Sequence, residues 1–184
     1  MATFRTSQPA SAVDAALPHL VIVGLPGSGK TTVGDLLAQR LGRPFLDFDH
    51  EIARRQGMTV AEIFAIHGEH HFRALERDLT KELLEVGNMI LAPGGGWIAQ
   101  PDAVAMLRSH ATIYYLRLRA ATALKRMGSK RTTRPLLQRP DPLGELERLL
   151  ASRKAGYESA DVVIDVERLN PQQVAERIVA LMGA

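Results

Sequence analysis

The stretch HLVIVGLPGSGKTT, residues 19–32, decides the fold. Its first five residues, His19 to Val23, form a short apolar, β-branched run that ends in glycine, as a buried parallel strand does. From Lys30 onward the period changes: Val33, Leu36, Leu37 and Leu41 recur at helical spacing, and Gly42 follows as a stop. Strand, glycine loop and helix therefore come in that order. The loop, Gly24 to Thr31, fits G-x-x-x-x-G-K-[ST]. Glycines there let backbone N–H groups turn inward around phosphate oxygens, and the helix N-terminus adds its positive dipole. In such a loop Lys30 reaches the β- and γ-phosphates and Thr31 can ligand Mg²⁺. The bland alternative is a chance glycine turn, which the flanking strand and helix argue against.

Working outward, Pro44 to Phe48 reads as a second strand, ending in the acidic pair Asp47 and Asp49. Thr59 to Glu62 has capping-box spacing, and Phe72, Leu75, Leu79 and Leu83 fall on one face of a helix over about residues 68–86. Met89 to Ala92 is a third strand that runs into Pro93-Gly94-Gly95-Gly96. Pro101 suits the first turn of another helix. Thr112 to Leu118 is a fourth strand, Ala120 to Met127 looks helical, and Glu145 to Lys154 is amphipathic. Asp161 to Val166 is a fifth strand, and Asn170-Pro171 caps a closing helix to about Met182. Gly128 to Pro142, rich in proline and basic residues, reads as a mobile loop. Five strands alternating with helices imply a parallel sheet covered on both faces, a three-layer α/β fold. Residues 1–18 show no periodicity and read as a loose arm ahead of one domain, 19–184.

The 184 residues are 46% hydrophobic and 23% charged, enough for one real core, and a net charge of +3 excludes a disordered polyelectrolyte. No apolar run approaches the roughly 18 residues that span a bilayer, and the opening segment lacks a leader's apolar region. A cytoplasmic protein without membrane or nucleic-acid partners is expected. The chain has no Cys, which excludes disulfides, thiolate zinc sites, iron–sulfur clusters and Cys nucleophiles.

Many phosphate loops work with an Asp at the end of an apolar strand, which helps to hold Mg²⁺. The third strand ends in glycines, so Asp47 is the better candidate for the outer shell of the metal, and Asp49 is left to meet something else. A turn with two solvated carboxylates remains open on spacing alone. Arg73, beside Glu69, Glu76 and Arg77, reads equally as an ion-paired helix face. His67, His70 and His71 lack a third well-placed zinc ligand and read as polar helix surface.

Together these residues resemble the shikimate kinase family, small-molecule kinases of the nucleoside monophosphate kinase fold. The likeness runs through GLPGSGKTT at 24–32, Asp47-Phe48-Asp49, Ile63-Phe64, Gly68-Glu69 with Phe72-Arg73 and Glu76, Gly94-Gly95-Gly96, Thr133 to Leu137, and the pair Arg153 and Tyr157. The resemblance implies ATP-dependent phosphorylation of the shikimate 3-hydroxyl, with Mg²⁺, by a monomer acting on small molecules. It implies that Gly27, Ser28, Gly29, Lys30, Thr31 and Thr32 hold the phosphates and that Arg126 and Pro171 flank the adenine. It gives the acid to Asp49, Arg73, Gly94, Gly95, Gly96 and Arg153. Lys30, Asp49 and Arg134 are then the catalytic residues, Arg134 lying in a lid over about residues 128–142. Chemistry asks for such groups: a carboxylate suits the planar fork of Arg, and a hydroxyl that attacks phosphorus needs a carboxylate to orient it. Trp97, bulky where a smaller aliphatic residue is expected, and the basic lid pair Lys130-Arg131 depart from the family. A kinase for another hydroxy acid such as gluconate, or a non-catalytic ligand sensor, are the alternatives.

Overall fold

The computed structural model describes residues 17–128 and 140–183. Five parallel strands form one sheet in the order β2-β3-β1-β4-β5. They are β1 (His19–Val23), β2 (Phe45–Asp47), β3 (Ile90–Ala92), β4 (Ala111–Arg117) and β5 (Val162–Asp165). β1 is buried along its whole length and lies between β3 and β4, with Val21 opposite both Leu91 and Ile113. Its Leu20, Val21, Ile22 and Val23 anchor the core, each contributing on the order of 1.5–3 kcal/mol by burial.

α1 (Lys30–Leu41) packs against α8 (Pro171–Met182), and α3 (Val60–Glu82) against α4 (Pro101–Arg108). Right-handed crossovers place these pairs on opposite faces of the sheet. Capping explains several boundaries. Thr59 and Glu62 form the expected box at the start of α3, and Asn170 and Gln173 form one at α8.

Some expected boundaries are corrected. β2 stops at Asp47, because that carboxylate accepts from His50 N at 3.2 Å and caps α2 (Phe48–Gln56), a helix whose few apolar residues gave no periodic signal. Helical structure from 60 to 82 is interrupted at Gly68 (φ 81°, ψ 171°), and residues 83–85 close it as a 3₁₀ turn. α6 (Pro142–Ser152) begins earlier than expected because Asp141 accepts from Gly144 N at 2.9 Å, so Pro142 opens a helix. Arg153 separates it from the short α7 (Lys154–Glu158), while α5 (Ala120–Met127) matches the expectation. Of the expected N-terminal arm, Leu17 and Pro18 are tied to the body: Leu17 O accepts from Asn88 N, and Pro18 O from Arg43.

Candidate active site

The C-terminal ends of β1, β2 and β3 converge. β1 leads into α1 on one face and β3 toward α4 on the other, and such a divergence opens a crevice beyond the strand ends. The loop after β1 passes through Gly27 (φ 83°) and Gly29 (φ 94°), backbone conformations that side chains disfavour. A Cβ on Gly27 would lie 2.5 Å from the Ala123 carbonyl oxygen. α1 starts at Lys30 with no side-chain cap, so its first N–H groups face the loop interior. Lys30 Nζ donates to Gly24 O at 2.8 Å and Leu25 O at 3.1 Å, holding its ammonium against the loop. Ser28 is buried and Thr32 exposed on the first turn. Thr31 Oγ1 donates to Asp47 Oδ2 at 2.7 Å, which brings the two expected Mg²⁺ residues together.

Asp47 pairs with Ala92 across the β2–β3 ladder. That register sets the first turn of α2 beside Gly94-Gly95-Gly96, the stretch after β3. The three glycines face four charged side chains. A Cβ on Gly94 would stand 2.6 Å from Asp49 Oδ1 and 2.8 Å from Glu76 Oε1. On Gly95 it would stand 2.9 Å from Arg153 Nη1, and on Gly96 it would enter the Arg73 guanidinium. The Gly95 position is also 3.6 Å from Gly24 O, so this glycine bridge touches the phosphate loop. Asp49 from α2, Arg73 from α3 and Arg153 from the break between α6 and α7 therefore come together around the three glycines.

Arg73 also makes the pairs that its spacing predicted. Its Nη1 donates to Glu76 Oε2 at 2.6 Å and its Nη2 to Glu69 Oε1 at 2.8 Å, and the guanidinium lies over Phe64 and Phe72. The ion-paired face and the site are one feature. Burial works against the Arg73 cation, yet Glu76 and Glu69 hold it above its ordinary value. Glu76 is fully buried, and burial pushes its carboxyl up to about 7 against the pull of Arg73, with Asp49 adding to the rise. In the sequence Glu76 reads as a partner on the ion-paired face of Arg73 and as one residue of the family likeness, and neither signal shows that its carboxyl is buried. Trp97 is buried edge-on to Phe48, the residue between Asp47 and Asp49, and its Nε1 donates to Thr80 Oγ1 at 3.0 Å. It packs behind the segment that carries Asp47 and Asp49.

Arg126 Nη2 donates to the carbonyls of Val166, Glu167 and Leu169, beside the segment that leads to Pro171 at the start of α8. Arg134, together with Lys130, Arg131 and most of the expected lid, lies outside the described residues. His67 and His70 are exposed on α3, and the His67 and His71 rings stand 4.9 Å apart.

A family model described as shikimate kinase matches residues 26–182. A shikimate kinase of Caldicellulosiruptor bescii is 36% identical over 165 residues, covering 90% of this chain and 95% of that protein. One of Rhodopseudomonas palustris is 40% identical over 163 residues, covering 89% and 80%. Among solved structures, shikimate kinase from Acinetobacter baumannii in complex with shikimate matches with a TM-score of 0.85 at 38% identity, over 91% of this chain and 94% of that one.

Proposed function

The chain belongs to the shikimate kinase family, and we propose that it transfers the γ-phosphoryl group of ATP to the 3-hydroxyl of shikimate, giving shikimate 3-phosphate and ADP. The observation that carries this reading is the glycine bridge, whose three missing side chains leave room against two arginines and a carboxylate beside a phosphate loop. A substrate carboxylate fits between Arg73 and Arg153, which offer charge-assisted hydrogen bonds from either side. The hydroxyl to be phosphorylated then meets Asp49. As its oxygen bonds to phosphorus and the bond from phosphorus to the ADP oxygen breaks, its proton passes to the Asp49 carboxylate.

On the nucleotide side, Gly27 to Thr32 and the start of α1 receive the phosphates, and Lys30 exchanges its loop carbonyls for phosphate oxygens. Thr31 and Asp47 are hard oxygen donors already in contact, a set that fits Mg²⁺, which keeps several waters and one or two protein ligands. When bound, Mg²⁺ would neutralise charge on the phosphates. Arg126 and Pro171 flank the adenine and Arg134 meets the phosphoryl group, roles that rest on the family resemblance. The same reading takes 19–184 as one domain behind an arm of 1–18, a cytoplasmic monomer. No helix among the described residues is long and apolar enough to cross a membrane.

Phosphorus NMR of the reaction of ATP, Mg²⁺ and shikimate tests this. One new phosphate monoester coupled to the proton on carbon 3 is expected. A different ester position, or none, overturns it.

A further inference from the structure

Gln100 stands at the N-cap position of α4, yet its side chain makes no cap bond. It turns to α3, where its Nε2 donates to Glu76 Oε2 at 2.6 Å. That same oxygen accepts from Arg73 Nη1 at 2.6 Å. Arg77 donates to Gln100 Oε1 at 3.5 Å, which fixes the amide with its N–H₂ toward Glu76. The turn that carries Gln100 grips Glu76 a second time: Trp97 donates to Thr80 Oγ1, which donates to the Glu76 carbonyl at 2.7 Å.

We propose that Gln100 is a positioning residue for the acid substrate: its amide holds Glu76 as a carboxylate aligned on Arg73, so that Arg73 presents its guanidinium at Gly96. This rests on the kinase reading above. Three groups face the Glu76 carboxyl: Arg73 from its own helix, Asp49 from α2 across Gly94, and Gln100 from the turn before α4. Glu69 bears on Arg73 from outside, Arg77 on Gln100, and Arg153 stands at Gly95.

Burial favours the protonated form of Glu76, whereas a donated amide hydrogen favours the ionised one. Without that amide, Glu76 keeps its proton to higher pH. A neutral Glu76 holds Arg73 more weakly, because the charge-assisted bond is lost. A neutral Glu76 removes a like charge from beside Asp49 without displacing it, so the loss falls on recognition of the acid.

Gln100→Leu removes the amide at similar volume, and Gln100→Met serves where Leu unsettles the turn. Both are read as KM for shikimate, KM for ATP and kcat across about pH 6 to 9. Near neutral pH, KM for shikimate rises about tenfold while KM for ATP and kcat stay within about twofold. The loss shrinks toward high pH, where Glu76 ionises again, and the acid limb of kcat/KM for shikimate moves upward. A merely structural role gives a loss that is equal at all pH values, and that result, or no loss, or a parallel rise in KM for ATP, overturns the inference while leaving the kinase reading in place. A wild-type chain that ignores shikimate at every pH removes both.

Discussion

A methyl group at Gly96 would press on Arg73, and one at Gly94 would meet the carboxylates of Asp49 and Glu76, so two neighbouring Gly→Ala substitutions strike different steps. Gly96→Ala turns the Arg73 fork away from the acid. It raises KM for shikimate about tenfold with kcat and KM for ATP near wild type. Gly94→Ala displaces Asp49 from the attacking hydroxyl and lowers kcat by about a hundredfold. Steady-state kinetics on both variants checks the split, and loss of ATP affinity in either would detach the bridge from the acid. The residues at issue were legible in the sequence to different degrees. The tract Gly94 to Gly96 and the pair Asp47 and Asp49 stood out. Arg73 was ambiguous, because helical spacing shows its pairs with Glu69 and Glu76 but not that the same guanidinium meets Gly96, which depends on the β2–β3 register. Gln100 was silent, since a polar residue before Pro101 reads only as a helix lead-in.

At the scale of elements, His19 ties β1 to the end of the α3 region and to the start of β3. Its Nδ1 accepts from Met89 N at 3.3 Å, so Nε2 carries the proton and donates to Leu83 O at 2.9 Å, leaving a buried neutral ring. Burial holds its pKa below the ordinary 6.5. The unfolded chain therefore binds more protons at acidic pH, and the stability that His19 contributes is present above pH 6.5 and lost as pH falls below it. The slope reaches at most about 1.4 kcal/mol per pH unit. Glu76 acts in the opposite sense: raised from 4.5 to about 7, it gives up its contribution as pH rises through that interval. The difference between wild type and His19→Asn isolates the histidine. In urea unfolding, His19→Asn has lower stability at neutral pH, and its deficit narrows as pH falls below 6.5. A deficit that is constant with pH would show that His19 does not titrate in the folding transition. Element types were largely readable from period and punctuation, and the misses share a cause: α2 and α7 are short, and they are set by a cap at Asp47 and a break at Arg153 rather than by apolar spacing.

For the whole molecule, the strand order sets the nucleotide loop and the acid site side by side, because β1 and β3 are neighbours whose connections leave on opposite faces. The sequence announced a parallel α/β sheet but not the order β2-β3-β1-β4-β5, which depends on contacts between residues far apart in the chain. That order turns scattered motifs into one cleft with a place for phosphate and a place for a hydroxy acid. The measurement that bears most directly on this account is ADP release in the presence of Mg²⁺ and ATP, with shikimate, gluconate or no acceptor at equal concentration. Release with shikimate should exceed both others by about a hundredfold or more. Equal release with gluconate, or release that does not depend on an acceptor, would contradict the assignment of the glycine bridge and its arginines to shikimate.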